Sequence, residues 1–301
     1  MGRWLWIVRT AVTLGTFAVL FAVVPVAELW RALSQVSIGV WIGVLAVFLV
    51  CHGVAALKWR LLIVGAGALP ARVWLPAHMA GLTANLCLPG IVGGDVVRAA
   101  WVVGHGRGIE PVAVASIADR AVDCVALLML AGMGLAWVGQ FGGLAARIVL
   151  GSAGVVLLAA AVFAVGYRIL RRRAVGGAGS RAVQAVQLLV ARPRLPVAAL
   201  VLSLLVQGTF VLLNARLGDV TGMQVAPAAW LAVWPLSKLV AFVPISLGGL
   251  GVREAALVAL MQPFGAPARA VLAAGLLWES VLVATGLIGW GITATLTPVR
   301  R

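Results

Sequence analysis

Residues 85–101 read NLCLPGIVGGDVVRAAW and residues 241–257 read AFVPISLGGLGVREAAL. Both carry the pattern P-x-x-x-G-G-x-x-x-R, spelled by Pro89, Gly93, Gly94 and Arg98 in the first and by Pro244, Gly248, Gly249 and Arg253 in the second. Each copy interrupts apolar sequence. Proline lacks an amide donor and glycine leaves the backbone loose, so each copy breaks a helix. Backbone groups freed inside a bilayer are tolerated only where protein or a water-filled cavity satisfies them. Helix breaks at corresponding positions of two halves point to a transporter's binding site.

The rest of the chain supplies the membrane. Of 301 residues, 63% are hydrophobic and only 10% charged, with a mean hydropathy of +1.12. That excludes a water-soluble domain of this length and defines an all-α, polytopic integral membrane protein. The net charge of +15 does not indicate nucleic acid. The basic residues fall mainly between apolar runs and at the ends, the footprint of membrane topology and of anionic lipid headgroups. Cys51, Cys87 and Cys124 have no paired spacing, and His52, His78 and His105 share no metal-ligand spacing with each other or with carboxylates, so buried thiols and satisfied histidines are expected, with no metal and no cofactor.

Spans need about 20 apolar residues to cross a hydrocarbon core of roughly 30 Å. Six stretches qualify: 10–27, 38–57, 111–139, 145–167, 195–213 and 268–296. The first is followed by Pro25, Glu28 and Trp30 rather than a small-residue cleavage site, so it is read as a span and not a signal peptide. Stretches 73–103 and 225–261 are apolar but broken at the motif. The arm before the first break reaches only about 24 Å as a helix, which suits a re-entrant hairpin better than a crossing. Six full spans plus two re-entrant hairpins in an inverted repeat are therefore expected, with eight full spans as the alternative. Cysteines placed at Gly90 and Ser246 are expected to label from water more readily than cysteines at Leu128 or Leu282.

With the N-terminus inside, the inner loops collect most arginines, including the run Arg168, Arg171, Arg172 and Arg173, and Lys58 and Arg60 are assigned to that side. The asymmetry places both termini in the cytoplasm of a multi-pass cell (plasma or inner) membrane protein. The chain reads as one transmembrane domain, 1–301, with pseudo-repeats 1–140 and 141–301. An offset of 155 residues carries Pro89 to Pro244 and Arg98 to Arg253. Residues 168–194 form the cytoplasmic linker, with a short amphipathic helix expected on the membrane surface.

Charged residues within spans cost about 2.5 to 3.5 kcal/mol each and mark pathways or pairs. Here they are Asp95, Arg98, Asp119, Arg120, Asp123, Lys238, Arg253, Glu254 and Glu279. Asp119 and Asp123 share one helix face, and Arg120 is placed to pair with Asp123. Asp119, Arg120, Asp123, Lys238 and Glu279 form a candidate proton or charge relay, or else brace helices. The glycine pairs leave amides free at the start of the following half-helix, where the partial charge favours anions. Arg98 and Arg253 stand one turn inside and suit bidentate phosphate contacts. The alternative is that they pair with Asp95 and Glu254.

These residues resemble the transmembrane region of lysylphosphatidylglycerol synthases and the stand-alone flippase-like membrane proteins related to it. Asn85, Pro89, Gly93, Gly94, Asp95 and Arg98 match the first family motif, and Pro244, Gly248, Gly249, Gly251, Arg253 and Glu254 the second. The resemblance implies a bacterial or archaeal membrane protein that moves, or helps to move, a polar lipid between leaflets, and it nominates these residues as the substrate site. A full synthase adds an aminoacyl-transfer domain. None follows the last span here, so no enzymatic activity is expected.

Two functions compete. The first is a lipid translocase or accessory lipid-transport protein whose partner is a membrane lipid with an anionic or phosphate-bearing headgroup. The second is a non-transporting subunit that anchors or regulates a lipid-biosynthetic enzyme. A lipid-modifying enzyme would need a nucleophile with a base, a metal set or a nucleotide motif, and the sequence offers none.

Overall fold

The structure, a computed structural model, describes residues 26–34, 36–65, 69–87, 92–138, 180–241 and 251–296. Every element among them is helical: α1 (Val26–Ser34), α2 (Ile38–Leu62), α3 (Ala71–Cys87), α4 (Val92–Gly104), α5 (Ile109–Val138), α6 (Ser180–Ala191), α7 (Arg194–Val220), α8 (Pro227–Ala241), α9 (Val252–Met261), a 3-10 turn (Gln262–Phe264) and α10 (Ala268–Leu296). Pro89, Pro244, Gly248 and Gly249, the span expected at 145–167, nearly all of that at 10–27 and linker residues 168–179 lie outside the described residues.

Among the described residues four helices, α2, α5, α7 and α10, are long and apolar enough to cross a membrane. At 1.5 Å per residue each exceeds the hydrocarbon core of about 30 Å. They coincide with the spans expected at 38–57, 111–139, 195–213 and 268–296, although α2 runs on to Leu62. Ser37 caps its start by accepting the Gly39 amide at 3.2 Å. Large apolar residues such as Val50, Leu205, Leu212, Met133 and Leu287 stay exposed on these helices, the surface a bilayer would cover. Trp137 stands exposed near the end of α5, where an amphipathic ring suits the headgroup level.

Each stretch that carries the motif yields two short helices among the described residues, with Gly93 and Gly94 inside the first turn of α4 rather than before it. The first yields α3, of 17 residues, and α4, of 13; the second yields α8, of 15, and α9, of 10. Even the longest reaches only about 25 Å. α4 folds back along α3 so closely that a methyl group on Gly81 would stand 2.8 Å from the Gly94 carbonyl oxygen. Asn85 Oδ1 accepts the Gly94 amide at 2.9 Å, which satisfies a backbone donor next to the break. At the second break Gly251 adopts φ +78°, a conformation costly for any residue with a Cβ. Its amide donates to Glu254 Oε2 at 2.8 Å, so the glutamate at the third helical position caps the start of α9.

The halves interlock. The first arm of one broken stretch, α3, packs along α10; the first arm of the other, α8, packs along α5; α2 packs along α7. Because lipid tails are as apolar as leucine, such seams gain little from the hydrophobic effect and depend on close backbone approach. Glycine supplies it: Gly134 of α5 lies against the backbone of Leu231 and Ala232 in α8, and a methyl group on Gly289 of α10 would stand 2.8 Å from Met79 O in α3. Gly134 and Gly289 are separated by the same 155 positions as the motif arginines.

The linker helix, α6, departs from expectation. It is amphipathic, but its apolar face is buried in protein rather than laid on a membrane surface: Ala182, Ala185, Val186 and Leu189 join Trp59, Leu62, Val112 and Ala115 in one core cluster. Glu110, in the first turn of α5, accepts the Ala182 amide at 3.0 Å and caps the start of α6.

Candidate functional site

Between the long helices and the two broken stretches lies a cavity of about 670 Å³. Its wall carries Lys58 from α2, Asp95 and Arg98 from α4, Asp119, Arg120 and Asp123 from α5, Lys238 from α8, Arg253 from α9 and Glu279 from α10. A volume of this size falls within the range of about 300 to 1,000 Å³ common for small-molecule sites.

The charges are organised into two networks. In the first, Arg98 donates to Asp119 Oδ2 at 3.1 Å and lies 3.0 Å from Asp95 Oδ1. Arg120 clasps Asp95 through two hydrogen bonds of 2.6 and 2.7 Å. Lys58 pairs with Asp119 at 3.1 Å and with Asp123, and Ser203 of α7 adds a 2.5 Å hydrogen bond to Asp123. Three cations thus face three carboxylates, and the Arg98 guanidinium also stacks 4.2 Å from the Trp59 ring. In the second, one guanidinium nitrogen of Arg253 contacts Glu254 and Glu279, each at 2.6 Å, tying α9 to α10. Its guanidinium lies 5.4 Å from the Trp234 ring centroid.

Between the networks runs a more neutral wall. Phe48, Phe210, Trp278 and Trp234 pack ring on ring with successive centroids 4.9 to 5.6 Å apart. His52 and His78 join Nδ1 to Nε2 at 3.2 Å, and Lys238 donates to Gln207 Oε1 at 2.8 Å. Among the described residues no group of three His, Cys, Asp or Glu side chains is placed to hold a metal ion.

Of the residues nominated from the sequence, Asn85, Gly94, Asp95, Arg98, Asp119, Arg120, Asp123, Lys238, Arg253 and Glu279 line this one cavity. Gly93, Gly251 and Glu254 do not, and Gly251 and Glu254 act through the cap of α9. Arg120 bonds Asp95 across helices, not Asp123 on its own helix as the three-residue spacing suggested. A bidentate clasp with a partner on α4 outweighs a marginal pair along one helix. Lys58, assigned to an inner loop, is instead 3% exposed in the first network. His52, His78, Gln207 and Ser203 were also missed, since their partners are distant in sequence. The continuation of α2 past Leu57 is the one local sign that could have placed Lys58 within the protein.

Water access to this cavity is testable. Gly90 and Ser246 lie outside the described residues, and Leu282 lines the cavity, so it is no protected control. In a chain freed of its native cysteines, single cysteines at Ala55 and Leu282 should react with a membrane-impermeant maleimide about tenfold faster than cysteines at lipid-facing Leu205 and Leu212, because charges in the wall require water. Equal rates at all four would contradict a hydrated cavity.

The fold and the charged cavity define a polytopic helical membrane protein. The chain belongs to the lysylphosphatidylglycerol synthase transmembrane-region family, whose model matches residues 6–289. No curated protein matches the sequence.

Proposed function

We propose that this protein moves the polar headgroup of a membrane lipid between leaflets, in the cell membrane and with both termini cytoplasmic. The observation that carries this reading is the convergence of nine charged side chains from six helices on one cavity, inside a molecule whose long helices keep their outer faces apolar. A headgroup crossing hydrocarbon unaided loses its hydration, and ionisable side chains and water in such a cavity replace it.

The two broken stretches supply the moving parts. Their arms are too short to cross, and their seams to α5 and α10 are closed by glycine, which supports two re-entrant hairpins related by an inverted repeat. The short span between Arg253, Glu254 and Glu279 couples one hairpin to a full span. Rocking one half against the other would expose the cavity alternately to each leaflet.

The test is reconstitution of the purified chain into vesicles with fluorescent acyl-labelled lipids bearing phosphatidylglycerol, phosphatidylcholine or an uncharged sugar, followed by quenching from outside. Protein-containing vesicles should deliver at least one headgroup class to the outer leaflet faster than empty vesicles. Rates equal to empty vesicles for all three would favour a non-transporting subunit of a lipid-modifying enzyme.

A further inference from the structure

Among the described residues five cations line the cavity, and four of them are already held by carboxylates: Lys58 by Asp119 and Asp123, Arg98 by Asp95 and Asp119, Arg120 by Asp95, and Arg253 by Glu254 and Glu279. Lys238 is different. Among the described residues no carboxylate stands within ion-pair distance of it. Its ammonium donates to the neutral amide of Gln207 at 2.8 Å and sits 5.0 Å from the Phe210 ring centroid. Of the acidic residues in the sequence, only Glu28 on α1 has a side chain outside the described set. An ammonium has three donors, and this one has used one on a side chain.

A second donor lies one turn earlier on the same helix. Trp234, four residues before Lys238 and therefore on the same face of α8, is 1% exposed, and its indole N–H has no acceptor among the described residues. Both residues line the cavity. Burying a donor without an acceptor is unfavourable and burying an unpaired cation more so, so the pair suits a group that is anionic and rich in acceptor oxygens.

We infer that Lys238, assisted by Trp234, holds the phosphate of a lipid headgroup in this cavity, while Arg98 and Arg253 act within the ion-pair networks. The inference rests on the lipid-headgroup reading of the cavity and names its anchor. Cations and carboxylates over the cavity wall and Glu254 are equal in number, so selection for an anion is local to Lys238 and not a property of a net positive cavity. A cationic headgroup group is repelled at this point, and an uncharged sugar leaves the ammonium uncompensated. The aromatic wall of Phe48, Phe210 and Trp278 beside it suits the glycerol carbons of a lipid, which a free phosphate ion lacks.

The test measures the unfolding midpoint of the purified full chain in detergent against rising dioctanoyl phosphatidylglycerol, dioctanoylglycerol, or inorganic phosphate at matched ionic strength. The wild type should be stabilised by the phospholipid and not by the phosphate-free diacylglycerol. Lys238→Met should bind the phospholipid about tenfold more weakly, the scale of one lost charge-assisted hydrogen bond. Its unliganded midpoint should change little, because no carboxylate is stranded and removing a buried, uncompensated ammonium offsets the lost hydrogen bond to Gln207. Lys238→Gln, a polar neighbour for Gln207, should show the same loss and guards against a folding defect in the first variant. Phospholipid affinity unchanged in both variants, or equal stabilisation by diacylglycerol, overturns the inference. Inorganic phosphate binding as tightly as the phospholipid overturns the lipid as its source. The two readings fail separately. Lys238-dependent binding without lipid movement in vesicles would sink transport alone, and lipid movement with unchanged binding in the variants would sink the anchor alone.

Discussion

Arg98→Ala should remove most of the protein from the membrane. The Arg98 side chain is only 5% exposed, contacts Asp95 and Asp119 at 3.0 and 3.1 Å, and covers the Trp59 ring. Its loss leaves three carboxylates facing two cations among largely buried side chains. Breaking a buried pair by deleting one partner costs about 3 to 5 kcal/mol, a large share of the stability of about 5 to 15 kcal/mol typical of a folded domain. Asp119→Asn should be nearly as damaging, since it takes one of two carboxylate partners from both Lys58 and Arg98 and leaves three cations facing two carboxylates. The Arg98→Ala/Asp119→Asn double variant restores the balance and should recover part of the loss. Arg120→Ala should be milder, because that side chain is 36% exposed and water compensates what remains. Membrane abundance across the four variants is the measurement, and equal abundance in Arg98→Ala and wild type would contradict a structural network.

Arg253→Lys should leave abundance intact and lower lipid translocation by about tenfold. Arg253 bridges Glu254 and Glu279 through one guanidinium nitrogen and spreads its plane toward Trp234. Lysine keeps the charge that the fully buried Glu254 requires but is a point donor on a flexible stem. The link between the second broken stretch and α10 then loosens without leaving a charge unpaired. A lost charge-assisted hydrogen bond is worth about 1.5 to 3 kcal/mol, hence a tenfold effect or more. Arg253→Ala, in contrast, strands two carboxylates and should reduce abundance as well. Normal translocation by Arg253→Lys would remove this contact from the transport step.

The sequence made the breaks and long spans legible because both are local signals. A proline followed by paired glycines disfavours a continuous helix, although Gly93 and Gly94 themselves fall in the first turn of α4, and 20 or more apolar residues have few alternatives. Eight of the nine charged residues found in the cavity wall, all but Lys58, were also readable, since an ionisable residue within an apolar run must find a polar place. Who pairs with whom was not. Lys58 meets Asp119 and Asp123 across 61 and 65 positions, and Arg120 prefers Asp95, 25 positions back, to the nearer Asp123. Such choices depend on how α2, α4 and α5 pack, which no local spacing encodes. The same holds for α6, whose amphipathic face was visible but whose partner, the core around Trp59, was not. Gly251 looked like part of a binding loop, and only its backbone angle and the Glu254 bond reveal a helix cap.

The most direct test of the central claim is the rate at which a labelled phospholipid crosses vesicles containing the purified wild-type chain, compared with vesicles holding the same chain after heat inactivation. Movement through the charged cavity predicts a rate at least about tenfold above the inactivated control, since the cavity replaces hydration that a bare bilayer withholds. Equal rates for phosphatidylglycerol, phosphatidylcholine and the sugar lipid in both preparations would contradict it.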